Sequence, residues 1–132
     1  MDMQERRQDH FNKAYLGVIA QGECSGKISG KNFTCMYLSP TGSKCAVGHI
    51  LSEQELKDFG GYLGGVKDLW MVMGYDEDHP FYSDYDFYND LQDVHDTLQG
   101  GSGPEFVMTF KYDMRRFAER YKLTVPDETA VA

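Results

Sequence analysis

The sequence has no apolar run approaching the roughly 20 residues that a bilayer-spanning helix requires. It has only three cysteines in 132 residues. The first absence excludes a helical membrane span. The odd cysteine count excludes a framework in which every thiol is paired, and reduced thiols suit a cytosolic protein. The opening residues, Met-Asp-Met-Gln-Glu-Arg-Arg-Gln-Asp-His, are polar and lack the apolar centre of a signal peptide. A soluble, cytoplasmic protein is therefore expected. From Asp68 to Phe110 there is no lysine or arginine, against ten Asp or Glu. Most of the net charge of −8 sits there, and the rest of the chain is close to neutral, with 13 basic and 11 acidic residues. A one-sign field of this density repels phosphates and attracts basic surfaces, which argues against direct binding of DNA or RNA. No internal repeat and no trusted catalytic signature is present.

The length suits one domain with a modest core, expected over residues 1–126 with a frayed tail over 127–132. Phe11, Ala14, Tyr15, Val18 and Ile19 mark the apolar stripe of a first helix over 2–21, stopped by Gly22. Residues 24–31 are rich in Gly and Ser and read as loop. Phe33 to Leu51 reads as two short strands about a Pro40-Thr41-Gly42 turn. Ser52-Glu53-Gln54-Glu55 has the spacing of a capping box and predicts a helix to about Phe59. A short helix over 66–73 follows, with Leu69, Trp70, Val72 and Met73 as core. A loop covers 74–83, and a helix runs from about Asp84 to Leu98 with Phe87, Leu91, Val94 and Leu98 inward. A last helix runs from about Pro104 to Tyr121 on Phe106, Val107, Phe110, Met114, Phe117, Ala118 and Tyr121. The predicted class is α+β: a small β-hairpin packed among about four helices.

The pattern Cys35-x-Tyr37-x-x-Pro40-x-Gly42-x-Lys44-Cys45-Ala46-x-Gly48-x-x-Leu51 resembles one found in small, mostly uncharacterised proteins of tailed bacteriophages and prophages. Leu91-Gln92-x-x-His95-Asp96 and Phe117-Ala118 followed by Leu123 are similar to later segments of that family. The chain departs from it in the acidic stretch 75–90 and the Gly-rich stretch 60–65. The resemblance implies a phage origin and the cytoplasm of an infected bacterium; it implies no activity.

Several residue sets invite chemistry. Cys24, Cys35, Cys45 and His49 are the ligand types of a structural zinc site, but with no C-x2-C knuckle the favoured reading has no metal, with Cys35 and Cys45 as small buried hydrophobes. Cys45 with His95 and Asp96 supplies the types for a cysteine nucleophile, but neighbouring residues on a helix point about 100° apart, a poor arrangement for orienting the ring. Asp76-Glu77-Asp78-His79 lacks EF-hand spacing and reads as an exposed acidic loop. Residues 40–44 lack the full phosphate-loop pattern and read as a turn. The most unusual stretch interleaves aromatics and acids: Tyr75, Asp76, Glu77, Asp78, Tyr82, Asp84, Tyr85, Asp86, Tyr88 and Asp90. Exposed tyrosines anchor interfaces, and the carboxylates around them select a basic partner or imitate a phosphate backbone. The bland alternative is a solvated face that keeps the protein soluble. The expected function is therefore a non-enzymatic, cofactor-free phage inhibitor of a host protein with a basic surface, such as a nucleic-acid-guided defence nuclease, in the manner of an anti-CRISPR protein. The alternative is a binder that sequesters a nucleotide immune signal through Lys44, Arg115 or Arg116.

Overall fold

In the computed structural model the described residues are 2–29, 32–62, 65–96, 98 and 101–128, the side chains of 27–29 and 32–35 excepted. Among them are six α-helices: α1 (Met3–Gln21), α2 (Glu53–Phe59), α3 (Val66–Met73), α4 (Pro80–Ser83), α5 (Tyr85–Asp96) and α6 (Gly103–Tyr121). The domain is all-α, which overturns the α+β expectation. The predicted hairpin over Phe33–Leu51 does not form. Its Pro40–Gly42 turn is present, closed by Ser39 N–H to Ser43 O at 2.8 Å and Gly42 N–H to Ser39 O at 3.0 Å. Gly42 there takes a φ of +91°, which favours glycine. Among the described residues its arms share one isolated β-bridge, Leu38 to Lys44. The downstream arm turns into a 3₁₀ helix at Val47–His49, because its N–H groups find acceptors other than a neighbouring strand. Val47 N–H donates to Gln92 Oε1 at 3.0 Å, and Gly48 N–H to Cys45 Sγ at 3.3 Å. The upstream residues pair backwards instead, as a four-residue antiparallel ribbon of β1 (Gly26–Ser29) with β2 (Asn32–Cys35). The ribbon is a two-stranded sheet.

The helices follow the apolar periodicities closely. Phe11, Ala14, Tyr15 and Val18 of α1 are buried, and so are Phe106, Phe110, Met114, Phe117 and Ala118 of α6. The two helices pack together with α5 through ring contacts such as Phe11–Phe117 at 5.8 Å and Phe87–Phe117 at 5.4 Å. Each such buried Phe contributes about 1.5–3 kcal/mol by leaving water. The capping box of α2 forms as predicted, Glu55 N–H to Ser52 Oγ at 3.1 Å and Ser52 N–H to Glu55 Oε1 at 2.8 Å. The loop expected at 74–83 contains α4, started by Pro80 and capped by His79 Nδ1, which accepts Phe81 N–H at 3.1 Å. Val72, expected in the core, is exposed, since the eight residues of α3 turn only one face inward, on Val66 and Leu69. Of the tail, residues 129–132 lie outside the described residues, and Glu128 pairs with Lys111 at 2.7 Å.

Two contacts lock the α1 side. Arg7 forms a bidentate pair with Asp84, Nε–Oδ2 2.8 Å and Nη2–Oδ1 2.6 Å, while its guanidinium lies over the rings of Phe87 and Tyr121 at 5.3 and 5.2 Å. The Asp84 side chain is only 5% exposed. Gly17 lies against His49; a Cβ at that position would sit 2.4 Å from Nδ1. Asp84→Ala leaves the guanidinium unpaired between two rings and is expected to destabilise by about 2–4 kcal/mol, read from the urea midpoint. Gly17→Ala, which in an open helix gains about 1 kcal/mol, is expected instead to lose about 1–2 kcal/mol through overpacking, with His49→Ala in the same chain relieving the loss.

Candidate functional site

The predicted partner-binding residues divide between surface and interior. Tyr88 is fully buried; its hydroxyl meets His10 Nδ1 at 2.7 Å, and burial pushes its pKa up to about 12. Asp84 is buried against Arg7. Both are corrections to the expectation of a surface role: the aromatic needed for the core and the carboxylate needed for Arg7 are drawn from the same stretch. Tyr85 and Asp90 are half-buried and committed within the fold, Tyr85 OH to Asn89 Oδ1 at 3.2 Å and Tyr121 OH to Asp90 Oδ2 at 2.5 Å. Asp86 is exposed.

Tyr75, Asp76, Glu77, Asp78 and Tyr82 are exposed, and most of this set is joined into one surface by Trp70. The Trp70 ring packs on Tyr82 with centroids 4.7 Å apart. Trp70 Nε1–H donates to Asp76 O at 2.9 Å, and the Asp76 carboxylate accepts Asp78 N–H at 3.0 Å, shaping the acidic loop. Tyr75 stacks flat on His79 at 4.1 Å and its hydroxyl donates to Glu55. Burial lowers the His79 pKa, so the ring stacks as neutral imidazole at neutral pH. Met71 and Val72 stand out from α3 nearby in the chain, 59% and 47% exposed. Sequence reasoning placed Trp70 and Val72 in the core; Trp70 is half-buried and packs against it, whereas Val72 is exposed. The signal that would have separated them is the shortness of the helix bracketed by Gly65 and Gly74. Among the described residues, Asp84 is the one acid of the stretch 75–90 that meets an arginine or lysine, so Asp76, Glu77, Asp78 and Asp86 keep their charge on the surface.

The proposed zinc set does not converge. Cys24 lies beside His95, Sγ to Nδ1 3.9 Å. Cys45 is enclosed and accepts Gly48 N–H. His49 Nε2 meets Gln21 Oε1 at 3.2 Å. The Cys35 side chain lies outside the described residues. No three His, Cys, Asp or Glu among the described residues are placed to hold a metal ion.

The cysteine-nucleophile set is rearranged. His95 approaches Cys24, and burial pushes the Cys45 thiol up to about 12. His95 Nε2 accepts Ser25 N–H at 2.9 Å, so the ring proton sits on Nδ1, which faces Asp96 Oδ1 at 3.0 Å. A nitrogen that already carries a proton cannot take one from Cys24. Contrary to the helix-geometry expectation, adjacent Asp96 does reach the ring, by way of Nδ1. The 40–44 turn closes on its own serines, Ser39 Oγ to Ser43 Oγ at 2.6 Å, and Lys44 is tied by its backbone to Gln21.

No protein-family model, curated protein or solved structure matches the chain.

Two half-buried imidazoles give a pH signature. Burial takes both His10 and His49 down to about 4, against about 6.5 in an unfolded chain. The unfolded state therefore binds more protons between pH 6.5 and about 4. Stability is full above that window and falls as the pH drops through it. Allowing for partial exposure, the loss is about 2–4 kcal/mol for the pair. Urea midpoints at about pH 7 and about pH 5 are expected to show it, and His10→Gln with His49→Gln should flatten the difference.

Proposed function

We propose that this chain is a phage-encoded, non-enzymatic inhibitor that binds a host protein with a basic, nucleic-acid-binding surface, using the α3–α4 face. The observation that carries the reading is the exposed Tyr75 and Tyr82 beside Asp76, Glu77 and Asp78, with half-buried Trp70 fixing Tyr82 and the acidic loop from beneath. Tyrosine and tryptophan fixed by stacking lose little freedom on binding and anchor interfaces. Carboxylates with no cation beside them steer and orient a basic partner. The phage setting rests on the sequence resemblance; the basic, nucleic-acid-binding character of the target, a defence complex of the anti-CRISPR-target kind, rests on the charge of this face. The basic residues considered for nucleotide sequestration are dispersed: Lys44 is held at the end of α1 by Gln21, and Arg115 and Arg116 stand on the exposed side of α6. That arrangement favours the protein-binding reading over the small-ligand one.

The test is a pull-down from bacterial host lysate at low and high salt, run in parallel with the Asp76→Lys, Glu77→Lys, Asp78→Lys triple variant. The wild type is expected to retain a basic nucleic-acid-processing complex at low salt and release it at high salt. Reversal at these three exposed positions gives up the Asp76–Asp78 loop contact but no core packing; with the fold checked by circular dichroism, it is expected to weaken binding by at least about tenfold. Equal retention by the triple variant would remove the α3–α4 face from the interaction.

A further inference from the structure

The outer side of α6 carries a second, differently charged surface. Glu105, Met108, Thr109, Tyr112, Arg116 and Glu119 recur at three- and four-residue spacing, so they form one stripe along the helix. It faces away from the core stripe Phe106, Phe110, Met114 and Phe117. Met108 is 71% exposed and Tyr112 59%, two large side chains one turn apart in water. Thr109 Oγ1 donates to Glu105 O at 3.0 Å, so its hydroxyl is satisfied within the helix. The Arg116 guanidinium stands 5.9 Å from the Tyr112 ring. Glu105 stands near the N-terminal end of the stripe, Arg116 about three turns on, with apolar or small residues between them, and Glu119 lies beyond Arg116.

We infer that α6 pairs with α6 of a second copy of this chain, antiparallel, about a two-fold axis passing between residues 110 and 111. An isologous contact requires a surface complementary to itself, and this stripe meets that requirement in one orientation. Running antiparallel about that point, Glu105 of each copy lies opposite Arg116 of the other. Tyr112 lies over the small Thr109, and Met108 is covered beside it. The large-against-small alternation lets the helices approach closely, as packed helix pairs do. Opposed helix dipoles add to the preference. A parallel pair would set Glu105 against Glu105 and Arg116 against Arg116, which like charges disfavour. The face used is separate from the α3–α4 surface, so dimerisation would present two acidic faces from one assembly.

Sedimentation equilibrium of the full chain tests this, from micromolar concentrations to about 1 mM, the weak end of specific association. The wild-type mass is expected to rise with concentration from the 15.1 kDa of one chain toward twice that value. Glu105→Arg alone and Arg116→Glu alone each set two like-charge pairs across the axis and should weaken association about tenfold or more. The double variant, Glu105→Arg with Arg116→Glu, restores opposite charges and should recover it. Recovery in the double variant separates the effect from any loss of folding, which circular dichroism checks independently. A wild-type chain that stays monomeric throughout, single reversals without effect, or a double variant no better than the singles would each overturn the inference.

Discussion

A long segment without α-helix, from Gly22 to Ser52, joins α1 to α2, and where it is buried its backbone polar groups must find partners. Buried N–H and C=O groups left without partners cost about 1–3 kcal/mol each. The protein meets this demand with side chains on the inner faces of helices. Gln92 of α5 accepts Val47 N–H, His95 of α5 accepts Ser25 N–H, and Gln21 of α1 both accepts from and donates to the Lys44 backbone. Buried Ser25 Oγ lies 2.7 Å from Met36 O and 2.9 Å from Ser43 O, joining two stretches of the segment. Gly48 passes so close to Tyr37 O that a Cβ would sit 2.2 Å away.

These are largely the residues that carry the resemblance to phage proteins. Tyr37, Cys45, Ala46 and Leu51 are buried, Gly48 is needed for the close approach, and Gln92 and His95 supply the acceptors. Asp96 in turn accepts from Gln92 Nε2 at 2.9 Å. A motif built from such residues encodes how that joining segment is held, and accordingly it says nothing of catalysis or ligand. The surface proposed for partner binding lies instead in the stretch 75–90, where this chain departs from the pattern. On that proposal, framework and recognition are written in different parts of the chain.

The helices were legible because their apolar spacing is long and regular: α1 and α6 each bury four or five residues at that spacing, and the Ser52–Glu55 cap is a local signal. The segment 33–51 was not legible. Alternation over three residues and a Pro-Thr-Gly turn are equally compatible with a hairpin and with a turn followed by a 3₁₀ helix. What decides is whether a side chain from elsewhere, Gln92, reaches Val47 first, and local pattern carries no trace of that. The aromatic-acidic stretch was legible in composition and only partly in placement. Tyr88 is buried while Tyr82 is exposed, a difference set by the inserted helix α4, which shifts the phase between the two. Arg7, 77 residues from Asp84, could not be matched to its carboxylate by any local rule.

α1 is also fastened at its outer end. Gln4 Nε2 reaches the carbonyls of Tyr121 and Lys122 at 3.2 and 3.1 Å, and Gln8 exchanges two hydrogen bonds of 2.8 Å with the Thr124 backbone. These partners are separated by 116 to 118 residues, so on a ribosome α1 is made well before the residues it is fastened to. Such long closures are entropically expensive and slow for a helical protein. The newly made first helix, with Phe11, Tyr15 and Val18 still uncovered, is therefore an obvious client for a chaperone until the last turn of α6 has been synthesised.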